Sequence, residues 1–143
     1  MKADIPEAVK NYVDKIARKF EARCIILWGS RARGDHTPTS DYDIIVIADF
    51  KEKFLERLTT LMEFAPLQPN IEVLGYTPEE FETMFQRGNV TALDAIHEGI
   101  PLHGKEYFTK YAKRLKELFE RGLERTTCTW KLPQPPTNPL NPQ

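Results

Sequence analysis

The chemistry in this chain is concentrated between Leu27 and Ile47, in the stretch LWGSRARGDHTPTSDYDIIVI. Asp41 and Asp43 stand one residue apart at the mouth of an apolar run whose other members suit a β-strand. On a strand, side chains at i and i+2 point to the same face, roughly 6–7 Å apart. The pair therefore aims two carboxylates at one region of space. Unpaired carboxylates that close raise one another's pKa. A divalent cation removes that cost, and hard oxygen ligands suit Mg2+ or Mn2+. An isolated Asp-x-Asp is better explained by Asp41 capping a turn and Asp43 facing solvent. This one is not isolated.

Gly29 and Ser30 lie just ahead of it, at the end of the preceding apolar run. Gly29 allows a sharp turn and close approach of a ligand. The amides that follow, with the Ser30 hydroxyl, can form a nest for phosphate oxygens. If residues 30 to 33 begin a helical turn, its positive end adds to that attraction. Arg31 and Arg33 are within reach, and a guanidinium fork matches phosphate geometry. A third acid follows in NIEVLGY, where Glu72 is the one charged residue of a strand-like run. Its parity is opposite to that of Ile71 and Val73, so it points away from the face they share. If this strand lies beside the Asp strand, Glu72 joins Asp41 and Asp43. Three such carboxylates can hold two Mg2+ ions about 3.5–4 Å apart, the arrangement for in-line attack at phosphorus. The alternative for Glu72 is a solvent-facing residue on a half-exposed strand.

The elements that must position these groups follow from periodicity. A helix is expected over 5–22, with Val9, Tyr12, Val13, Ile16 and Phe20 at helical spacing. Strands are expected at RCIILWG and YDIIVIA, the second well buried and rich in β-branched residues. A helix over 50–64 places Phe54, Leu58 and Leu61 on one face before Pro66 and Pro69 end it. After the NIEVLGY strand, Thr77, Pro78 and Glu80 make a helix start with a capping box, and Arg87-Gly88 its end. NVTALDAIHEG reads as a short helix and IPLHG as a short extended piece. A long C-terminal helix over 104–125 carries Tyr107, Tyr111, Leu115, Leu118 and Phe119 as an apolar stripe. The expected class is α+β (α/β): a small mixed sheet flanked by helices. The domain is expected to span 1–125. Residues 126–143, with five prolines in the last eleven positions, are expected to be an extended or disordered tail.

Bulk properties exclude several functions. With 20 basic and 21 acidic residues among 143, the net charge is −1, so no global surplus favours capture of long nucleic acid. No apolar run reaches transmembrane length and the N-terminus is no signal peptide, so a cytoplasmic protein with no membrane association is expected. Cys24 and Cys128 fit no metal-ligand spacing, and Cys24 reads as a buried small hydrophobe. His97 and His103 have no neighbours at zinc spacing, His36 reads as a solvent-exposed loop residue, and no P-loop motif is present.

Gly-Ser, ten residues and then Asp-x-Asp, with RARG inside, resembles the signature of the minimal nucleotidyltransferases of the DNA-polymerase-β superfamily. The resemblance covers about residues 5 to 105 and implies the polymerase-β-like nucleotidyltransferase fold. By it, Gly29 and Ser30 match the positions that hold the triphosphate, and Arg33 a basic position of the same loop. Asp41 and Asp43 match the metal-binding aspartates and Glu72 the third carboxylate, which in the family is often Asp. The implied activity is Mg2+-dependent transfer of AMP from ATP to a hydroxyl, in a two-metal site that Mn2+ can also serve. Many minimal members resemble antitoxins that adenylylate a tyrosine on a HEPN-type toxin encoded beside them. No substrate-recognition domain is expected in so short a chain, and a protein partner or a second copy in a homo-oligomer is expected to complete the acceptor groove. Two alternatives stay open: nucleotidylation of a small molecule, and a non-catalytic nucleotide-binding module that neutralises a toxin by contact.

Overall fold

The computed structural model describes residues 4–126 and 129–133. A helix, α1 (Glu7–Lys19), precedes strand β1 (Cys24–Trp28), a single turn α2 (Ser30–Arg33) and strand β2 (Tyr42–Ile47). Then come α3 (Phe54–Met62), β3 (Ile71–Tyr76), α4 (Pro78–Gln86), α5 (Val90–Glu98), β4 (Ile100–His103) and α6 (Lys105–Glu120). Two short strands, β5 (Glu124–Arg125) and β6 (Trp130–Lys131), close the described chain. Among the described residues no helix is long and apolar enough to cross a membrane.

The main sheet has the order β3-β2-β1-β4. β1 runs antiparallel to both β2 and β4, while β2 and β3 are parallel and joined through α3. The mixed sheet flanked by helices and the long helix near the C-terminus are as the sequence leads one to expect, and the third strand meets the condition set for Glu72 by lying beside the aspartate strand. β2 is buried over its whole length except at Asp43, because helices cover both sheet faces. That double burial is why YDIIVI reads as a continuous apolar run rather than an alternating one. Asp43 stands where the cover ends.

On one face, Val9, Tyr12, Val13 and Ile16 of α1 and Leu61 of α3 pack on Ile25, Leu27, Ile44, Val46, Ile71 and Val73. Gly75 lets α3 lie close against β3, since a side chain there would meet Phe50 and Leu61 at about 3.0 Å. On the other face, Phe81 and Phe85 of α4, the inner side of α5, and Tyr111 and Leu115 of α6 cover Cys24, Ile26, Ile45 and Ile47. Burial pushes the Cys24 thiol up to about 12, which fits an inert packing residue.

Polar groups tie the layers together. Thr77 and Glu80 form the expected capping box at the start of α4. Glu80 also pairs with Arg57 of α3 at 2.7 Å, and Arg57 donates to the Gly75 carbonyl at 3.2 Å. Arg57 is almost wholly buried, and nothing in its local sequence marked it. Glu82 of α4 takes two hydrogen bonds from Arg114 of α6, at 2.6 and 2.7 Å, which hold its carboxyl down at about 2.

Two differences from the sequence reading concern the C-terminus. The last helix stops at Glu120 rather than 125, because Gly122 takes a φ of 110° that turns the chain into β5. Residues 129–133 belong to the segment expected as a tail, yet Trp130 is buried. Its indole N–H donates to Asp94 at 2.7 Å, and its ring meets His97 and Phe119. Docking of that aromatic surface on α5 and α6 holds this segment against the domain. Cys128 and residues 134–143 lie outside the described residues.

Candidate active site

The site forms at the end of β1 and the starts of β2 and β3, on the face that carries α5. Three residues lie in one cross-strand row there. Trp28 is the register partner of Asp43 on β1, and Glu72 is its partner on β3. In a parallel pair neighbouring strands run about 4.8 Å apart, so Asp43 and Glu72 necessarily crowd. Burial, then the charge of Glu72 and a hydrogen bond to it, then Asp41, push the Asp43 carboxyl up to about 6, against the pull of Arg33. Glu72 points away from buried Ile71 and Val73, as its parity requires.

Asp41 is placed differently from the strand reading. It lies one residue ahead of β2, and its Oδ1 accepts from the Asn70 amide at 2.7 Å. Asn70 is fixed in turn, because its carbonyl accepts the Tyr42 N–H at 2.9 Å. Among the described residues no group of three or more His, Cys, Asp or Glu side chains is set to close on a metal ion. The structure thus brings Asp43 and Glu72 together and leaves Asp41 beside them, turned to Asn70. As a donor set the three still suit a hard divalent cation. They offer only carboxylate oxygens, and of the causes that raise Asp43, burial first and then its acidic neighbours, the repulsion from Glu72 and Asp41 is the part a cation relieves.

Gly29 explains why the Gly-Ser and Asp-x-Asp halves of the motif belong together. It has φ 75° and ψ −159°, and a Cβ built on it would fall on Asp43 Oδ2. The aspartate carboxylate therefore occupies the space left by the missing side chain. Beyond it, the Gly29 carbonyl accepts the Ala32 and Arg33 N–H groups at 3.0 Å each, and Gly34 closes α2 in the left-handed region. Gly29→Ala must both adopt a strained positive φ and displace Asp43. We expect at least about a tenfold loss in any activity that needs Asp43, with circular dichroism and elution volume unchanged; wild-type activity in that variant would show the contact to be dispensable.

The arginines separate in role. Arg31 stacks over the Tyr42 ring at 4.5 Å and donates to the carbonyls of Ser40 and Pro38, so it braces the loop that leads to Asp41. Arg33 pairs with Asp35 at 3.0 Å and with Glu98 at 2.7 Å. Glu98 Oε2 also accepts the Gly29 N–H at 2.8 Å. Neither Glu98 nor Asn70 was among the residues singled out from the sequence. Glu98 acts across 69 positions, beyond the reach of any local spacing argument. His36 lies exposed in the loop, and the His103 ring contacts the Ala22 carbonyl.

Beside the acid row opens a cavity of about 430 Å³. Asp43, Asn70 and Glu72 line one part of it and Trp28, Leu58, Met62, Ile71, Val73 and Leu74 the rest. It is an apolar pocket with carboxylates at hand.

Known proteins resemble this chain in sequence and in fold. The profile of the polymerase beta nucleotidyltransferase family matches residues 10–88, more than half the chain. A candidate protein adenylyltransferase of Methanocaldococcus jannaschii is 39% identical over 56 residues, 38% of this chain and 56% of that protein. The chain thus spans about half the length of this curated relative. Among solved structures, a toxin–antitoxin complex with AMP-PNP superposes with a TM-score of 0.50 at 20% identity, over 78% of this chain and 86% of that one. A mutant of the MntA–HpeT toxin–antitoxin pair does so with a TM-score of 0.50 at 21% identity, over 82% and 88%. At such identities the likeness speaks for the fold. The match spans β1, α2, β2 and β3, the elements that build the acid row, and so the chain belongs to the polymerase beta nucleotidyltransferase family.

Proposed function

We propose that this chain transfers AMP from ATP to a hydroxyl of a protein acceptor, a tyrosine on a HEPN-type toxin partner. The observation that carries the reading is the row in which Asp43 faces Glu72 in register while its carboxylate fills the space over Gly29. This arrangement sets the Gly29–Ser30 turn against the acids. A triphosphate received by that turn would bring its phosphates to the acids.

In this reading Asp41, Asp43 and Glu72 hold Mg2+, with Mn2+ as a substitute. The ion supplies charge neutralisation of the phosphates and polarisation at the α-phosphorus. Ser30 and the turn amides bind and orient the phosphate oxygens. Glu72, on the open side of β3, takes the proton of the acceptor hydroxyl. The acceptor oxygen forms its bond to the α-phosphorus as the bond to the β-phosphate oxygen breaks, and pyrophosphate leaves. Catalysis is then mostly positioning and charge neutralisation, as in phosphoryl transfer generally.

The cavity beside Glu72 supports an aromatic acceptor. Leu58, Met62, Val73 and Leu74 offer apolar walls to a phenol ring, while Asp43 and Glu72 lie where its hydroxyl would need a base. The toxin–antitoxin assemblies among the fold neighbours point to the same class of partner. The test is incubation with Mg2+, the product of the adjacent reading frame and ATP labelled at either the α- or the γ-phosphate. We expect the α label on a tyrosine of that protein and no transfer of the γ label. Absence of α label on the partner, with nucleotide binding intact, would reject the acceptor assignment.

A further inference from the structure

α2 is one turn of four residues, and a turn that short does not persist on its own hydrogen bonds. Something outside it must hold it in shape. Arg31 braces it from the loop side, and at its two ends one carboxylate oxygen bonds both the residue ahead of the turn and its last residue. Oε2 of Glu98 accepts the Gly29 N–H at 2.8 Å, just ahead of the turn, and Arg33 Nη1 at 2.7 Å, from its last residue. Both bonds are charge-assisted by the carboxylate, the stronger kind.

Glu98 is itself well anchored. It ends α5, whose Ala92, Leu93, Ala95 and Ile96 are buried against the sheet. Two residues on, Ile100 pairs with Leu27 of β1. The Glu98 side chain is only 13% exposed, while its partner Arg33 is 45% exposed and shared with Asp35. The carboxylate is thus the fixed member of the contact and the loop is the member being fixed. Orienting the Gly29 amide also orients its Cα, on which the Asp43 carboxylate rests.

We infer that Glu98 is a positioning residue: from α5 it sets the Gly29–Arg33 turn in the shape that receives the triphosphate and keeps Asp43 in its row. The inference deepens the proposed function and rests on its reading of that turn as the nucleotide loop. A rival role has the opposite sign. If Glu98 merely occupies the place of a phosphate oxygen and must leave when nucleotide arrives, removing its charge would tighten binding.

The experiment is a calorimetric titration of ATP, with Mg2+ present, into the wild-type chain and Glu98→Ala, Glu98→Asp and Glu98→Gln, with thermal unfolding of each. Glu98→Ala is expected to bind about tenfold more weakly, a loss of the size of one net charge-assisted hydrogen bond. Glu98→Gln keeps an oxygen that can accept the Gly29 N–H, and should restore most of the affinity. A merely structural role predicts no such rescue beyond what the melting temperatures explain. Should Glu98→Ala not fold, Glu98→Asp carries the test, being one methylene too short to reach both donors; it too should bind more weakly. Affinity in Glu98→Ala or Glu98→Asp equal to or tighter than wild type overturns the inference while leaving the proposed function standing. Absence of binding by the wild-type chain overturns the proposed function, and the inference with it.

Discussion

Asp43→Ala is expected to lower AMP transfer by about 10³-fold or more, roughly 4 kcal/mol of transition-state stabilisation, while the chain stays folded. Asp43 is the middle member of the acid row, touching both the Glu72 side and the Gly29 side. Its loss removes a donor for the cation and the group that keeps the loop and the acids in register. Asp43→Asn separates charge from shape. Because Asp43 titrates near 6 in the folded protein, against an ordinary 3.8, its stabilising contribution is complete below about pH 3.8 and is lost as the pH rises through 6. In EDTA at pH 8, Asp43→Asn should therefore be more stable than wild type, by on the order of 1 kcal/mol once solvent screening of this half-buried group is discounted. At pH 4 the gap should close. Thermal unfolding at the two pH values measures it. Equal stability at pH 8 would mean that burial and the neighbouring carboxylates do not disfavour the Asp43 charge as its placement requires.

Phe81→Ala is expected to cost about 3–5 kcal/mol, the range for removing a buried aromatic ring. Phe81 is fully buried and meets the Tyr111 ring edge-on, with centroids 5.0 Å apart. It links α4 to α6 over Ile45 and Ile47. A domain of this size is stable by about 5–15 kcal/mol, so the loss should move the urea midpoint by a large fraction of its value. Leu67→Ala is the control. Leu67 is 95% exposed, and its replacement should change stability by no more than about 0.5 kcal/mol. A Phe81→Ala protein as stable as the Leu67→Ala protein would contradict the packing of that face.

What the sequence discloses is what local physics decides. Parity along NIEVLGY is enough to turn Glu72 away from the Ile71 and Val73 face, since side chains alternate on any strand. The capping box at Thr77 and Glu80 is likewise a short-range event. Gly29 was legible as a turn residue, but its sharper role was not, because the Asp43 carboxylate packed on it is a cross-strand neighbour. Asp41 was expected to act as the twin of Asp43 by strand geometry. It falls outside the strand because Asn70 and Tyr42 fix the entry to β2. Glu98, Arg57 and Trp130 became meaningful only in three dimensions. Each carries a polar or aromatic group that looks ordinary on its own helix or tail and gains its role from a partner on another element. The order of strands in the sheet is likewise a property of tertiary packing, which periodicity does not encode.

The role of the acid row in holding nucleotide is tested most directly by titrating ATP into the chain with Mg2+ and again in EDTA, for wild type and Asp43→Asn. Saturable binding by wild type with Mg2+, weakened at least about tenfold both by EDTA and by Asp43→Asn, is the predicted result. Equal binding in all conditions would contradict it, because the acid row would then have no part in holding the nucleotide.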